Sequence, residues 1–246
     1  MALIEKISRR EGIGDLLADG AAKAALRLGR GAEYAMHVKG LDLIMADPRG
    51  LKGFGLGYAV ASRGGDHLRS EPFLELEDDP ARGVALYGVG DATVRRAYGG
   101  KGALIKHFEE WNAVIDALEP CKNIMQNMEL LTYPRAAELM EACTGLAFTA
   151  ERIREVGERI INVERVFNAR EGFTRVDDRL PSRFREEPLR EGNSSGTVWE
   201  QEPMLDDYYT HRGWSLKTGN PMRATLTRLG LKADADELAK LGKPPE

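Results

Sequence analysis

Thr149 stands directly before a stretch in which Ile153, Val156, Ile160, Val163 and Phe167 recur at intervals of three and four, with Arg, Glu and Asn between them. That spacing predicts a helix capped by Thr149, with the five apolar side chains as its buried stripe. The same period runs elsewhere. Ile13, Leu16, Leu17, Ala21, Ala24 and Leu28 predict a helix over 14–28, ended by Gly29 and Gly31. Leu104, Phe108, Trp111, Ile115 and Leu118 predict another over 102–118, and Ala136, Leu139, Met140 and Cys143 a shorter one with Cys143 in the core. Short helices follow near 221–229 and 234–241. Only HVKGLDLIM at 37–45 reads as extended, and it is too short to promise a sheet. The fold expected is all-α, with two helical subdomains, 1–148 and 149–246. A long irregular segment at 170–208, rich in Arg, Asp, Glu, Pro and Gly, is expected to pack across them. The carboxylate-rich stretch EPFLELEDDP at 71–80 reads as a solvated loop.

Composition excludes several functions. Two cysteines in 246 residues, Cys121 and Cys143, cannot build a disulfide framework, a four-cysteine zinc site or a complete cubane cluster. With 39 acidic against 35 basic residues the net charge is −4, which argues against nucleic acid as a partner. No apolar run reaches the roughly 18 residues of a membrane span. The mixed-charge start MALIEKISRREG lacks a signal core, so the chain is expected to be cytoplasmic.

The segment DPRGLKGFGLGYAVASRGGDHLR at 47–69 is the most unusual. Gly53, Gly57 and Ala61 fall four apart, leaving one helix edge bare for the close approach of a backbone or a flat ligand. The turn after it, Ser62 to Arg69, joins two glycines with two arginines able to clamp an anion; packing alone, a tight helix followed by a glycine turn, accounts for the same residues. Asp47-Pro48-Arg49 reads as a turn with an internal ion pair. His67 reads equally as a proton donor, a hydrogen-bond anchor or a surface residue. Cys121 follows a helix end marked by Pro120, and neighbouring Lys122 favours its thiolate.

Six blocks together resemble the C-terminal half of the aldehyde:ferredoxin oxidoreductase family. They are REGIGDLLADG at 10–20, HVKGLDLIMADPRG at 37–50, GLGYAVASRGGDHLR at 55–69, VIDALEPCK at 114–122, ERVFNAREGFTRVDDRLPSRFREEPL at 164–189 and MLDDYYTHRGW at 204–214. The family holds tungsten, sometimes molybdenum, between two pyranopterins beside a [4Fe–4S] cluster. It oxidises aldehydes to carboxylates and reduces ferredoxin. The resemblance implies that Asp116 accepts pterin N–H bonds, that Cys121 is the fourth cluster thiolate and that His67 is the proton partner beside the metal. It makes Ser62 and Arg69 cofactor contacts, with Lys122 beside them.

Two departures stand out. The family's Asp-x-x-Gly-Leu-Cys reads Asp-x-x-Glu-Pro-Cys at 116–121, and the CxxCxxxC triplet that supplies the other three thiolates is not in this sequence. The tungstopterin or molybdopterin and the cluster are therefore expected to bind only with another chain or domain carrying the triplet, with ferredoxin and a small aldehyde as the further partners. A non-catalytic interaction domain and a component of an aromatic acyl-thioester reductase are the alternatives.

Overall fold

The computed structural model describes residues 2–126 and 130–243. Its fourteen described helices are α1 (Ala2–Arg9), α2 (Ile13–Leu17), α3 (Ala21–Leu28), α4 (Lys52–Val60), α5 (Leu74–Glu77), α6 (Pro80–Tyr87), α7 (Lys101–Leu118), α8 (Lys122–Met125), α9 (Tyr133–Thr144), α10 (Ala150–Arg170), α11 (Ser182–Glu186), α12 (Gln201–Arg212), α13 (Arg223–Arg228) and α14 (Lys232–Lys240). The only described sheet is a hairpin in which β1 (His37–Val38) pairs antiparallel with β2 (Leu41–Asp42). The all-α expectation is met. The extended stretch amounts to that hairpin, and the 170–208 segment carries α11 and the start of α12.

Helix α7 is the centre of the fold and packs against α4, α10 and α12. Thr149 caps α10, its side chain accepting from the Arg152 N–H at 3.2 Å. The buried face of α10 differs from the expected stripe. Ile153 and Ile161 are buried, but Val163 and Phe167 are 43% and 58% exposed. Gly157 sets this rotation: a Cβ there would lie 2.4 Å from the Glu110 carbonyl of α7. The two backbones meet at the glycine, so the side that turns inward is the one that can approach most closely, not the one with most apolar volume. Polar side chains on that side find partners, as Trp214 Nε1 donates to Asn162 Oδ1 at 2.9 Å.

The expected 14–28 helix is broken in two at Gly20, whose φ of +89° no helix accepts, and only Ala24 of its apolar stripe is buried. Cys143 is exposed, because α9 buries Ala136 and Ala137 and its last turn stands clear of the core. The acidic 71–80 stretch is not wholly solvated either. Glu75 is fully buried, accepts from the Gly53 and Phe54 N–H groups at 2.7 and 3.1 Å and pairs with buried Lys101 at 2.6 Å. It thereby caps α4 with a carboxylate. Burial pushes Glu75 upward and Lys101 downward from their ordinary pKa ranges, each opposed by the charge of the other.

Candidate functional site

Helix α4 is buried along its whole length, so its glycines serve packing within this chain. A Cβ at Gly57 would fall 2.2 Å from Ser70 Oγ, and one at Gly55 2.4 Å from Trp199 Nε1. The bare edge is covered by side chains of the same chain, which removes α4 from the surface that a ligand could reach. Asp47 and Arg49 do form the expected internal pair, at 2.7 Å.

The turn beyond α4 leads to the surface. Asp66 Oδ1 accepts from the Leu68 N–H at 2.8 Å and so caps one 3-10 turn, His67–Arg69. Arg63 pairs with Asp66, while Arg69 points inward, its side chain 7% exposed. The Arg69 guanidinium bridges two helices. Nη1 donates to Asp116 Oδ2 at 2.9 Å at the end of α7, and Nη2 reaches Glu164 of α10 at 2.5 Å. Ser62 Oγ donates to Glu164 Oε2 at 2.7 Å, and Lys122 Nζ bonds both Asp116 at 2.9 Å and the Leu68 carbonyl at 2.8 Å.

Ser62, Arg69, Asp116 and Lys122, four of the residues singled out in the sequence, therefore meet in one cluster, and Glu164 completes it. Glu164 was missed, although it opens one of the six family blocks. Nothing near it in the chain marks it, because its partners are Ser62 and Arg69 on the other side of the molecule's sequence. With two carboxylates against two cations the cluster is balanced in charge.

Cys121 sits one residue before Lys122 as an exposed free thiol at the start of α8. The Lys122 ammonium is committed to Asp116 and Leu68. His67 is half-buried beside Arg69, and its imidazole makes no hydrogen bond or ion pair among the described residues. Glu119, in place of the family's glycine, ends α7 at φ +63°, in the left-handed region that favours glycine.

The donor set fits part of the cofactor that the resemblance implies. Asp116 keeps 40% of its side chain exposed for further donors. For a metal or cluster the fit is one thiolate: among the described residues no three His, Cys, Asp or Glu gather as a metal site. A small cavity of about 10 Å³ lies behind the cluster, against Glu164, Tyr208 and Trp214.

Fold and site together define a helical module that brings a charge-balanced cluster and an exposed thiol to one surface. The chain belongs to the aldehyde ferredoxin oxidoreductase family, whose pattern for domains 2 and 3 matches residues 1–231. It is 36% identical over 231 residues to the tungsten-containing aldehyde ferredoxin oxidoreductase of Pyrococcus horikoshii, covering 93% of this chain and 36% of that protein. It is 28% identical over 257 residues to the aliphatic sulfonate oxidoreductase, WOR-like subunit, of Pyrococcus furiosus, covering 98% of this chain and 36% of that one. The chain thus spans about a third of the length of these relatives. The active site complex of benzoyl coenzyme A reductase with 1,5-dienoyl-CoA shares the fold at a TM-score of 0.66 and 23% identity, over 98% of this chain and 40% of that chain. No described helix is long and apolar enough to cross a membrane.

Proposed function

We propose that this chain lines the cofactor site of a tungsten-dependent oxidoreductase that converts aldehydes to carboxylates and delivers the electrons to ferredoxin. Another chain or chain segment supplies the CxxCxxxC thiolates. The observation that carries this reading is the convergence of Ser62, Arg69, Asp116 and Lys122, drawn from two separate stretches, beside exposed Cys121.

The group bound there, tungsten or molybdenum on pyranopterin with its neighbouring cluster, supplies the two-electron chemistry. Aldehyde and water become carboxylate, three protons and two electrons. The residues of this chain bind and orient. Asp116, held by Arg69 and Lys122, offers its exposed oxygen edge to pterin N–H donors. Glu164 fixes the Arg69 guanidinium, which in turn holds Asp116 in place. Cys121 Sγ is the one thiolate the chain contributes to the cluster. His67, free of internal partners, takes a proton at its imidazole.

The test is co-expression with a chain that carries the triplet, followed by iron and tungsten analysis of the purified assembly. Copurification with bound metal is expected, with iron content lowered by Cys121→Ser and unchanged by Cys143→Ser. An assembly that binds no metal, or iron unchanged by Cys121→Ser, overturns the proposal in favour of an interaction domain.

A further inference from the structure

Helix α10 keeps an apolar edge outside the fold. Ile160, Val163 and Phe167 fall within about 60° of its circumference, and that arc lies about 60–120° round from Gly157, where α10 touches α7. Ile160 is half-buried, but Val163 and Phe167 are exposed. Single apolar side chains at a surface are ordinary, whereas a row of them beside a site marks a contact.

This row borders the open cluster. Val163 and Phe167 flank Glu164, which holds Arg69 at 2.5 Å. Next to Arg69 stands Leu68, 36% exposed, whose carbonyl accepts from Lys122 at 2.8 Å. Cys121 precedes Lys122 as an exposed thiol, and Ile124 follows it at 45% exposure. The bonds of the cluster thus hold four exposed apolar side chains and one thiol on one surface. Arg63, next to Ser62, and Arg170, one turn beyond Phe167, are exposed and charged, giving the apolar centre a polar rim.

Ligand number decides what covers this face. A cubane takes four thiolates and Cys121 is one, so the body that bears the other three has to lie against the surface around Cys121. The matched family pattern is that of domains 2 and 3, and the relatives are about three times as long, which leaves a further family domain to occupy that place.

We propose that the chain carrying CxxCxxxC docks on the edge formed by Val163, Phe167, Leu68 and Ile124, and that this apolar contact, rather than the shared cluster, holds the two chains together. The inference rests on the cofactor reading for the identity of the partner and goes beyond it in making assembly independent of metal. Burial of apolar surface acts whether or not iron is present, whereas Cys121 gives the cluster a single bond to this chain.

The experiment compares two forms of the triplet-bearing chain, one unaltered and one with its three triplet cysteines changed to serine. Each is co-expressed with the full chain, and the purified complex is diluted in sedimentation velocity. Both are expected to form a one-to-one complex, with dissociation constants within about threefold of each other. Phe167→Glu, at an exposed position whose variant should keep the wild-type melting curve, is expected to weaken the complex about tenfold or more, and Val163→Glu by less. Leu139→Glu is the control. It is 54% exposed on α9, which packs with Ile153 about 21 Å along α10 from Phe167, and is expected to leave the complex unchanged.

Loss of the complex in the serine form, undiminished affinity in Phe167→Glu, or an equal loss in Leu139→Glu overturns the proposal. So does a dimer of this chain alone that Phe167→Glu dissolves. Metal analysis separates the two readings. A complex that needs Phe167 but holds no iron or tungsten sinks the oxidoreductase reading and leaves the docking face, while a metal-loaded complex indifferent to Phe167→Glu does the reverse.

Discussion

Two sets of charged side chains are built from α7, and they are finished differently. Around Arg212, the guanidinium pairs with Glu109 at 2.5 Å and Glu110 at 2.7 Å, while its Nε donates to the Tyr208 hydroxyl at 3.0 Å. All three charged side chains are at most 4% exposed. Around Arg69, the same kind of pairing stops short: Nε has no partner, and Asp116 and Glu164 stay 40% and 31% exposed. The sealed set spends its hydrogen-bonding capacity inside the protein and locks α12 onto α7. The open set leaves its two carboxylates partly exposed as acceptors at a surface, as the cofactor contact proposed above requires.

The contrast is broken most directly by removing one cation from each. Arg212→Met leaves Glu109 and Glu110 buried and short of a partner, so a loss of about 3–5 kcal/mol is expected in chemical denaturation. Lys122→Met in the open set is expected to cost less than about 1 kcal/mol, because water can replace it at Asp116. Equal losses would mean that both clusters are structural.

The interior on the sealed side has a pH signature. His107 is held neutral by burial when folded, down to about pH 4, and takes up a proton near its ordinary pKa when unfolded. The unfolded chain therefore binds more protons as pH falls from about 6.5 to 4, and stability drops across that window by on the order of 2–3 kcal/mol, then levels off below it. Subtracting the profile of His107→Gln from that of the wild type isolates this contribution, and a flat difference contradicts it.

On the open side the smallest effect is expected at Glu119. Its left-handed backbone at φ +63° is strained for any side chain, so Glu119→Gly is expected to raise stability by up to about 1 kcal/mol. A melting temperature that does not rise would show that the Glu119 side chain compensates the strain.

Much of the local structure was legible in the residues. Thr149 caps α10 and the apolar spacing at 102–118 marks α7, since both signals act within one or two helical turns. The site was legible only through blocks of family resemblance, which brought out Ser62, Arg69, Asp116 and Lys122. Glu164 escaped, for it sits among other charged positions of α10 and acquires its role from Ser62 and Arg69. A cavity lined by His107, Phe108 and Trp111 escaped as well, since Phe108 and Trp111 read as core and only packing left space beside them.

The positions of α7 and α10, the cap at Thr149 and the count of thiols were thus determined by the sequence itself, because propensity, capping and ligand number are properties of neighbouring or countable residues. Which face of α10 turns inward was decided by the contact of Gly157 with Glu110. Which charges are sealed and which stay open was decided by whether α12 or solvent lies against α7. Those outcomes depend on distances between segments far apart in the chain, and pattern along the sequence carries no measure of them.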